Sequence, residues 1–264
     1  MFFRNDNTYL NLSQHLFRLF FTVSSGINLL YSKPHLTRRP EINKNSLEIK
    51  TENYKAFLFD MDGLLLDTER ICWKCFVSAC KKFGHDPDFN IYKNCIGRKA
   101  EEGDIVLSEG FGSLIPYCEV KNLWNDLYAG VVEAGDIPLK AGVYDFLRNV
   151  SDKNKRMAVV TSTGRETALK KLTSAKIIDF FEIIMSGDRA ENSKPHPEIY
   201  LKAAEQLSLM PSECIVFEDS DNGVIAAHSA GMDVIQIPDM FEPSHEVQRL
   251  GHRVTDSLAN IFLK

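Results

Sequence analysis

Ala56-Phe57-Leu58-Phe59-Asp60-Met61-Asp62-Gly63 is the stretch on which the fold turns. Four consecutive apolar residues stop at two carboxylates and a glycine. A continuous apolar run of this length, rather than an alternating one, is the pattern of a parallel strand buried on both faces. The pattern recurs downstream: residues 157–160 end at Thr161, 182–185 at Ser186, 214–217 at Glu218 and 234–237 at Pro238. Apolar residues at helical spacing fill the intervals, over residues 143–150, 166–175, 197–207 and 222–230. Strands alternating with helices predict an α/β fold with a Rossmann-like, doubly wound parallel sheet.

One stretch breaks the alternation. From Glu69 to about Gly135 no strand pattern occurs, while Ile71, Cys75, Phe76 and Ala79, and later Val120, Leu123, Trp124 and Leu127, recur at helical spacing. This predicts an all-helical cap domain over residues 69–138, inserted into a core made of residues 51–68 and 139–264. The chain crosses between the two near residues 67–69 and 137–142, which are therefore candidate hinges.

Composition narrows the function. Hydrophobic residues make up 44% of the chain and charged residues 25%, as in an ordinary globular protein, and the net charge is −5. Nothing in that charge favours a nucleic-acid partner. The six cysteines fall mostly in apolar helical patterns and read as reduced core residues. Cys72 and Cys75 have no second pair at zinc-like spacing, so they carry no metal reading. Residues 1–50 differ from the rest: Asp6, Glu41 and Glu48 are their only acids, amid Asn, Ser, Leu and Phe. Their apolar part is broken by Arg18 and falls short of the ~20 residues that span a bilayer. They read as an extension outside the fold, either a transit-like segment, a disordered tail or a product of a wrongly chosen start. A cytoplasmic protein is expected, with an organelle as the alternative if the extension is genuine.

In open α/β sheets ligands bind beyond the carboxyl ends of the strands. Here those ends supply Asp60 and Asp62, then Thr161 and Ser162, then Lys194 in the loop after its strand, and then Glu218 and Asp219. Two carboxylates at i and i+2 converge if Gly63 lets the chain turn, and like charges so close call for a cation or a shared proton. Hard oxygen donors point to Mg²⁺, with Asp219 and Glu218 completing its surroundings. Lys194 would neutralise remaining charge and hold phosphate oxygens, and Thr161, Ser162 and a helix N-terminus could bind another.

At this point the residues resemble a family. Phe59 through Glu69 (FDMDGLLLDTE), Val159-Val160-Thr161-Ser162, Ser193-Lys194-Pro195 and Phe217-Glu218-Asp219-Ser220 resemble, in order, the four motifs of the haloacid dehalogenase-like superfamily. The resemblance covers residues from about 54 to 264. It implies that Asp60 attacks phosphorus to form an aspartyl-phosphate, and that Asp62 protonates the leaving oxygen and then takes a proton from water. It also implies that Mg²⁺ is bound by Asp60, the backbone carbonyl of Asp62 and Asp219, with Glu218 supporting the site. Asp62 argues against dehalogenation, because haloalkanoate dehalogenases lack an acid there.

The helical insertion resembles the small cap of the β-phosphoglucomutase-like branch, and residues 60–70 resemble pseudouridine-5′-phosphatases and sugar-phosphate phosphatases. Mutases of that branch carry a His where Cys72 stands, and their basic cap residue aligns with Ala100. Arg98 and Lys99 lie near that position, as a substrate clamp or a solvated face. Asp67 and Thr68 read equally as hinge or capping residues, and Asp188 as a group supporting Lys194 or a plain loop residue. The expected protein is a Mg²⁺-dependent phosphoric monoester hydrolase, a monomer without membrane or nucleic-acid partners, acting on a small phosphorylated sugar, polyol or nucleoside. The alternatives are a phosphosugar mutase and a catalytically silent binding protein of the same fold.

Overall fold

The computed structural model describes residues 46–93, 95, 100–111 and 116–264. Strand β1 (Leu47–Ile49) precedes β2 (Ala56–Phe59), and β3 (Arg156–Val160), β4 (Ile183–Met185), β5 (Cys214–Glu218), β6 (Asp233–Gln236), β7 (Arg253–Val254) and β8 (Ile261–Leu263) follow. Six of them form one sheet in the order β4-β3-β2-β5-β6-β7, with every neighbouring pair parallel. The apolar runs of the sequence are these strands to within a residue. From β2 the chain winds outward through β3 and β4, then returns to the other side of β2 for β5, β6 and β7. That reversal leaves a crevice beyond the end of β2, the place where such sheets bind ligands.

The two faces of the central strands bury different residues, as a period of two requires. On one face the Phe59 and Phe217 rings stack at 4.9 Å, and Phe146 of helix α5 (Val143–Asp152) packs edge-on against Phe217 at 5.2 Å. On the other face Leu58, Val160 and Val216 pack with Tyr200 of α7 (Glu198–Gln206) and Val224 of α8 (Asp221–Ser229). α6 (Arg165–Ser174) follows β3, and a short α9 (His245–Gln248) precedes β7.

Between β2 and β3 lie α1 (Thr68–Lys82), α2 (Phe89–Lys93), α3 (Ala100–Phe111) and α4 (Tyr117–Ala134), with no strand among the described residues there. These helices have their own core, built on Phe76, Cys80, Tyr92, Leu107, Phe111 and Val120. The chain enters and leaves this cap through two crossing segments: Asp67 N donates to Pro138 O (3.0 Å) and Lys140 N to Leu65 O (3.0 Å). Asp239, in the loop after β6, takes both Arg70 of α1 and Lys140 of the return segment, while its side chain is 2% exposed. Two residues on, the Phe241 ring lies 5.7 Å from Phe89 and under the Lys93 ammonium. Asp67 does not cap α1 with its side chain; its carboxylate takes Arg70 instead (2.8 Å).

Two expectations change. Residues 47–49, placed outside the fold, form β1 and pair in parallel with β8, burying Ile49 to 1% exposure. Three residues were too short a run to show as a strand, and the partner strand β8 is equally short. Cys75, Cys80 and Cys214 are buried as expected, but Cys118 is exposed on α4. No described helix is long and apolar enough to cross a membrane.

The β1–β8 pairing carries a stability prediction. A chain starting at Thr51 loses Ile49, whose burial is worth about 2–3 kcal/mol. A chain starting at Ser46 keeps it. Urea unfolding should show the shorter chain less stable by about that amount; equal midpoints would mean that the pairing contributes nothing.

Candidate active site

Asp60 ends β2, and its backbone N–H donates to Phe217 O of β5 (3.0 Å), so the carboxylate is delivered to the crevice by the sheet itself. Asp60 Oδ1 accepts from Lys194 Nζ at 2.7 Å. The same ammonium donates to Glu218 Oε1 (2.6 Å) and to Val160 O (3.0 Å), which uses all three of its protons. These contacts place Lys194, expected to hold phosphate oxygens, directly against Asp60.

Glu218, at the end of β5, is fully buried. Its Oε1 also accepts from the Tyr200 hydroxyl (2.6 Å), and its Oε2 accepts from the backbone N–H of Asp219 (3.1 Å) and Ser220 (3.3 Å) and from Ser220 Oγ (3.2 Å). A Cβ on Gly223 would overlap this carboxylate, so the start of α8 must be glycine there. Both oxygens of Glu218 are thus occupied by protein donors. Its place in the site is to hold Lys194 and the Asp219 turn.

Asp219 is partly buried, with a carboxylate oxygen close to that of Asp60. Carboxylate oxygens of Asp60, Glu218 and Asp219 lie within 4.8 Å of one another. Gly63 has φ +90°, and a Cβ there would overlap the Asp219 carboxylate, so the turn that brings the Asp62 segment against Asp219 is open only to glycine. Burial pushes the Asp60 carboxyl up to about 8; Lys194 opposes this, and Glu218 and Asp62 add to it. Burial, Asp60, Glu218 and Glu69 likewise hold Asp219 well above the usual carboxylate range. Anionic oxygens gathered this closely, with one lysine among them, fit a divalent cation that prefers oxygen donors.

Asp62 lies in a different setting two residues on. Lys171 Nζ donates to its Oδ1 (2.7 Å), Thr163 Oγ1 to its Oδ2 (2.6 Å), and Thr161 Oγ1 to the same oxygen at 3.5 Å. Burial alone would raise this carboxyl, but Lys171 and Thr163 outweigh it and hold it below the ordinary value. Its side chain is therefore outside the Asp60–Asp219 cluster; only its backbone carbonyl is left to serve a metal there.

Of the remaining expected residues, Thr161 is buried and its Oγ1 accepts from Thr163 N (3.1 Å), while Ser162 is exposed. The hydroxyl that enters the site beside Thr161 is that of Thr163. Asp188 is exposed on the turn after β4. Arg98 and Lys99 lie outside the described residues.

Several site groups escaped the sequence. Glu69 faces Asp62, Asp239 and Lys171 from the first turn of α1, and burial pushes its carboxyl up to about 7, with both aspartates adding and Lys171 opposing. Lys171 on α6 has a side chain 3% exposed and stands 5.2 Å from the Tyr128 ring of the cap helix α4. A signal for Lys171 existed: Ala168, Lys171 and Leu172 share the buried face of α6, so a lysine occupies a core position of the helical period.

The model of the haloacid dehalogenase-like hydrolase family matches residues 57–237. The chain is 32% identical over 187 residues to the phosphorylated carbohydrates phosphatase of Thermotoga maritima, covering 69% of this chain and 83% of that protein. It is also 32% identical to a Drosophila melanogaster protein described as "Probable pseudouridine-5'-phosphatase", over 69% of this chain and 80% of that one. The crystal structure of β-phosphoglucomutase from Clostridium difficile superposes with a TM-score of 0.62 at 25% identity, covering 78% of this chain and 92% of that one. Family model, relatives and fold agree with the four strand-end motifs: this chain belongs to the haloacid dehalogenase-like hydrolase family.

Proposed function

We propose that this chain is a Mg²⁺-dependent phosphatase that hydrolyses a small phosphate monoester through an aspartyl-phosphate on Asp60. The observation that carries the reading is the contrast between two carboxylates two residues apart. Asp60 is buried with one lysine and two further carboxylates, Glu218 and Asp219, whereas Asp62 is held apart by its own cation and hydroxyl. One is suited to attack and the other to move a proton. Two relatives named as phosphatases support the reaction class.

In the first half, an Asp60 oxygen bonds to phosphorus as the bond from phosphorus to the ester oxygen breaks, and Asp62 gives that oxygen a proton. In the second half, Asp62 takes a proton from water as the water oxygen attacks phosphorus. The bond to Asp60 then breaks, and inorganic phosphate leaves. Asp62 rests as a carboxylate, the form that the second half requires; the first half needs the protonated form, which Lys171 disfavours. Asp60, Asp219 and the Asp62 carbonyl would hold Mg²⁺, whose charge, when bound, stabilises the charge that develops on the phosphoryl oxygens. Water as the final acceptor separates this reading from the mutase one. Cys72 stands where a mutase has His, and burial raises its thiol to about 12, leaving it a poor proton carrier near neutrality.

Asp60→Asn should lower phosphate release from p-nitrophenyl phosphate at least about 10³-fold with the fold intact by circular dichroism. Retained turnover would sink the nucleophile assignment.

The Asp60 carboxyl also predicts a pH signature. Its folded value, about 8, lies above the ordinary value near 4 of an unfolded chain. The folded state then binds more protons between these limits, so its stability falls as pH rises from about 4 to 8. Without divalent cation the melting temperature should fall between pH 5 and 8 more steeply in the wild type than in Asp60→Asn. Added Mg²⁺ should raise it more at pH 8 than at pH 5; a larger effect at pH 5 would contradict the site.

A further inference from the structure

Lys171 is a cation buried between Asp62 and the cap helix α4, with its side chain 3% exposed. Among the described residues it makes one hydrogen bond, to Asp62 Oδ1, while an ammonium carries three protons. It is held between the core and the cap: α6 supplies it, and the Tyr128 ring of α4 covers it at 5.2 Å. A buried lysine with donors to spare is unusual, because unmet donors in a dry setting cost stability. In the reading above, Asp62 touches the ester oxygen of the leaving group. An acceptor that meets the spare donors of Lys171 therefore lies on the atoms next to that oxygen.

Charge selects what the acceptor is. Lys171 is already balanced by Asp62, Asp239 is taken up by Arg70 and Lys140, and Glu69 stands nearby without an ion pair among the described residues. A further anion at Lys171 would face the Asp62 and Glu69 carboxyls with that one ammonium between them. A neutral hydroxyl suits both sides: it accepts from Lys171 and can donate to Glu69.

We propose that Lys171 is a specificity-determining residue that reads a neutral hydroxyl on the carbon adjacent to the phosphorylated carbon of the leaving group. The assignment rests on the phosphatase reading and is separable from it by experiment. Glycerol 1-phosphate carries such a hydroxyl, 1,3-propanediol monophosphate lacks it, and phosphoglycolate has a carboxylate in its place. With Mg²⁺, the wild type should favour glycerol phosphate over propanediol phosphate about 10–100-fold in kcat/KM, the range for a hydrogen bond to a charged group. In Lys171→Met the ratio should collapse to within about threefold, and Lys171→Gln, which keeps a donor on a shorter arm, should fall between.

The ratio is the readout because both esters leave as alkoxides. Any effect of the variants on Asp62 itself, or on stability, divides out. If Lys171→Met does not fold, the wild-type and Lys171→Gln ratios decide the matter. A wild type that hydrolyses p-nitrophenyl phosphate yet separates the pair by less than about threefold, or turns over neither, overturns the assignment. So does an unchanged ratio in the variants, or a preference for phosphoglycolate. A wild type that releases no phosphate even from p-nitrophenyl phosphate overturns the phosphatase reading instead.

Discussion

One ammonium group ties the site to the sheet. Lys194 arrives from the loop after β4, yet its three protons go to Asp60 at the end of β2, Val160 O at the end of β3 and Glu218 at the end of β5. Three neighbouring strand ends are thereby fastened at one point. Two carboxylates buried this deeply would be costly alone, and leaving a buried charge without its partner costs about 3–5 kcal/mol. The rest of the architecture serves that point. Tyr200 and the start of α8 complete the shell of Glu218, and glycine at 223 leaves room for it.

This arrangement explains how two aspartates in one turn differ. Asp60 shares its lysine with Glu218, and the surplus negative charge, together with burial, keeps its proton affinity high. Asp62 has Lys171 and Thr163 largely to itself and stays ionised. The turn at Gly63 is what allows the two to diverge, since the second side chain must leave the cluster that the first one joins. A cation in the cluster would remove the surplus charge around Asp60 and free it as an anion.

What was legible in the sequence follows from the length of the signal. The central strands are continuous apolar runs because both faces are covered, and their ends carry the polar groups, so Asp60, Asp62, Thr161, Lys194, Glu218 and Asp219 stood out by position. β1, β7 and β8 have two or three residues each, too few for any period. Lys171 and Tyr128 were hidden for a different reason. They come from helices in separate parts of the chain, and only packing of cap on core brings them together. Glu69 sat inside the first motif but was masked by its louder neighbours. Ser162 and Thr163 show the limit at the level of a single loop: adjacent hydroxyls are equivalent on paper, and the backbone turn decides which one faces inward.

The Asp239 cluster has a consequence for how the loop after β6 holds the cap. Lys140 and Asp67 lie on the two crossing segments, whereas Arg70 lies in the first turn of α1 and Phe89 begins α2. The loop after β6 is thus held to α1 and the return segment by charge, and to α2 by aromatic contact. Dissolved salt screens the half-exposed Arg70 more than the buried Asp239–Lys140 pair, and leaves the aromatic contact untouched or strengthens it. Ionic strength therefore acts on one attachment of the loop after β6 and spares the other.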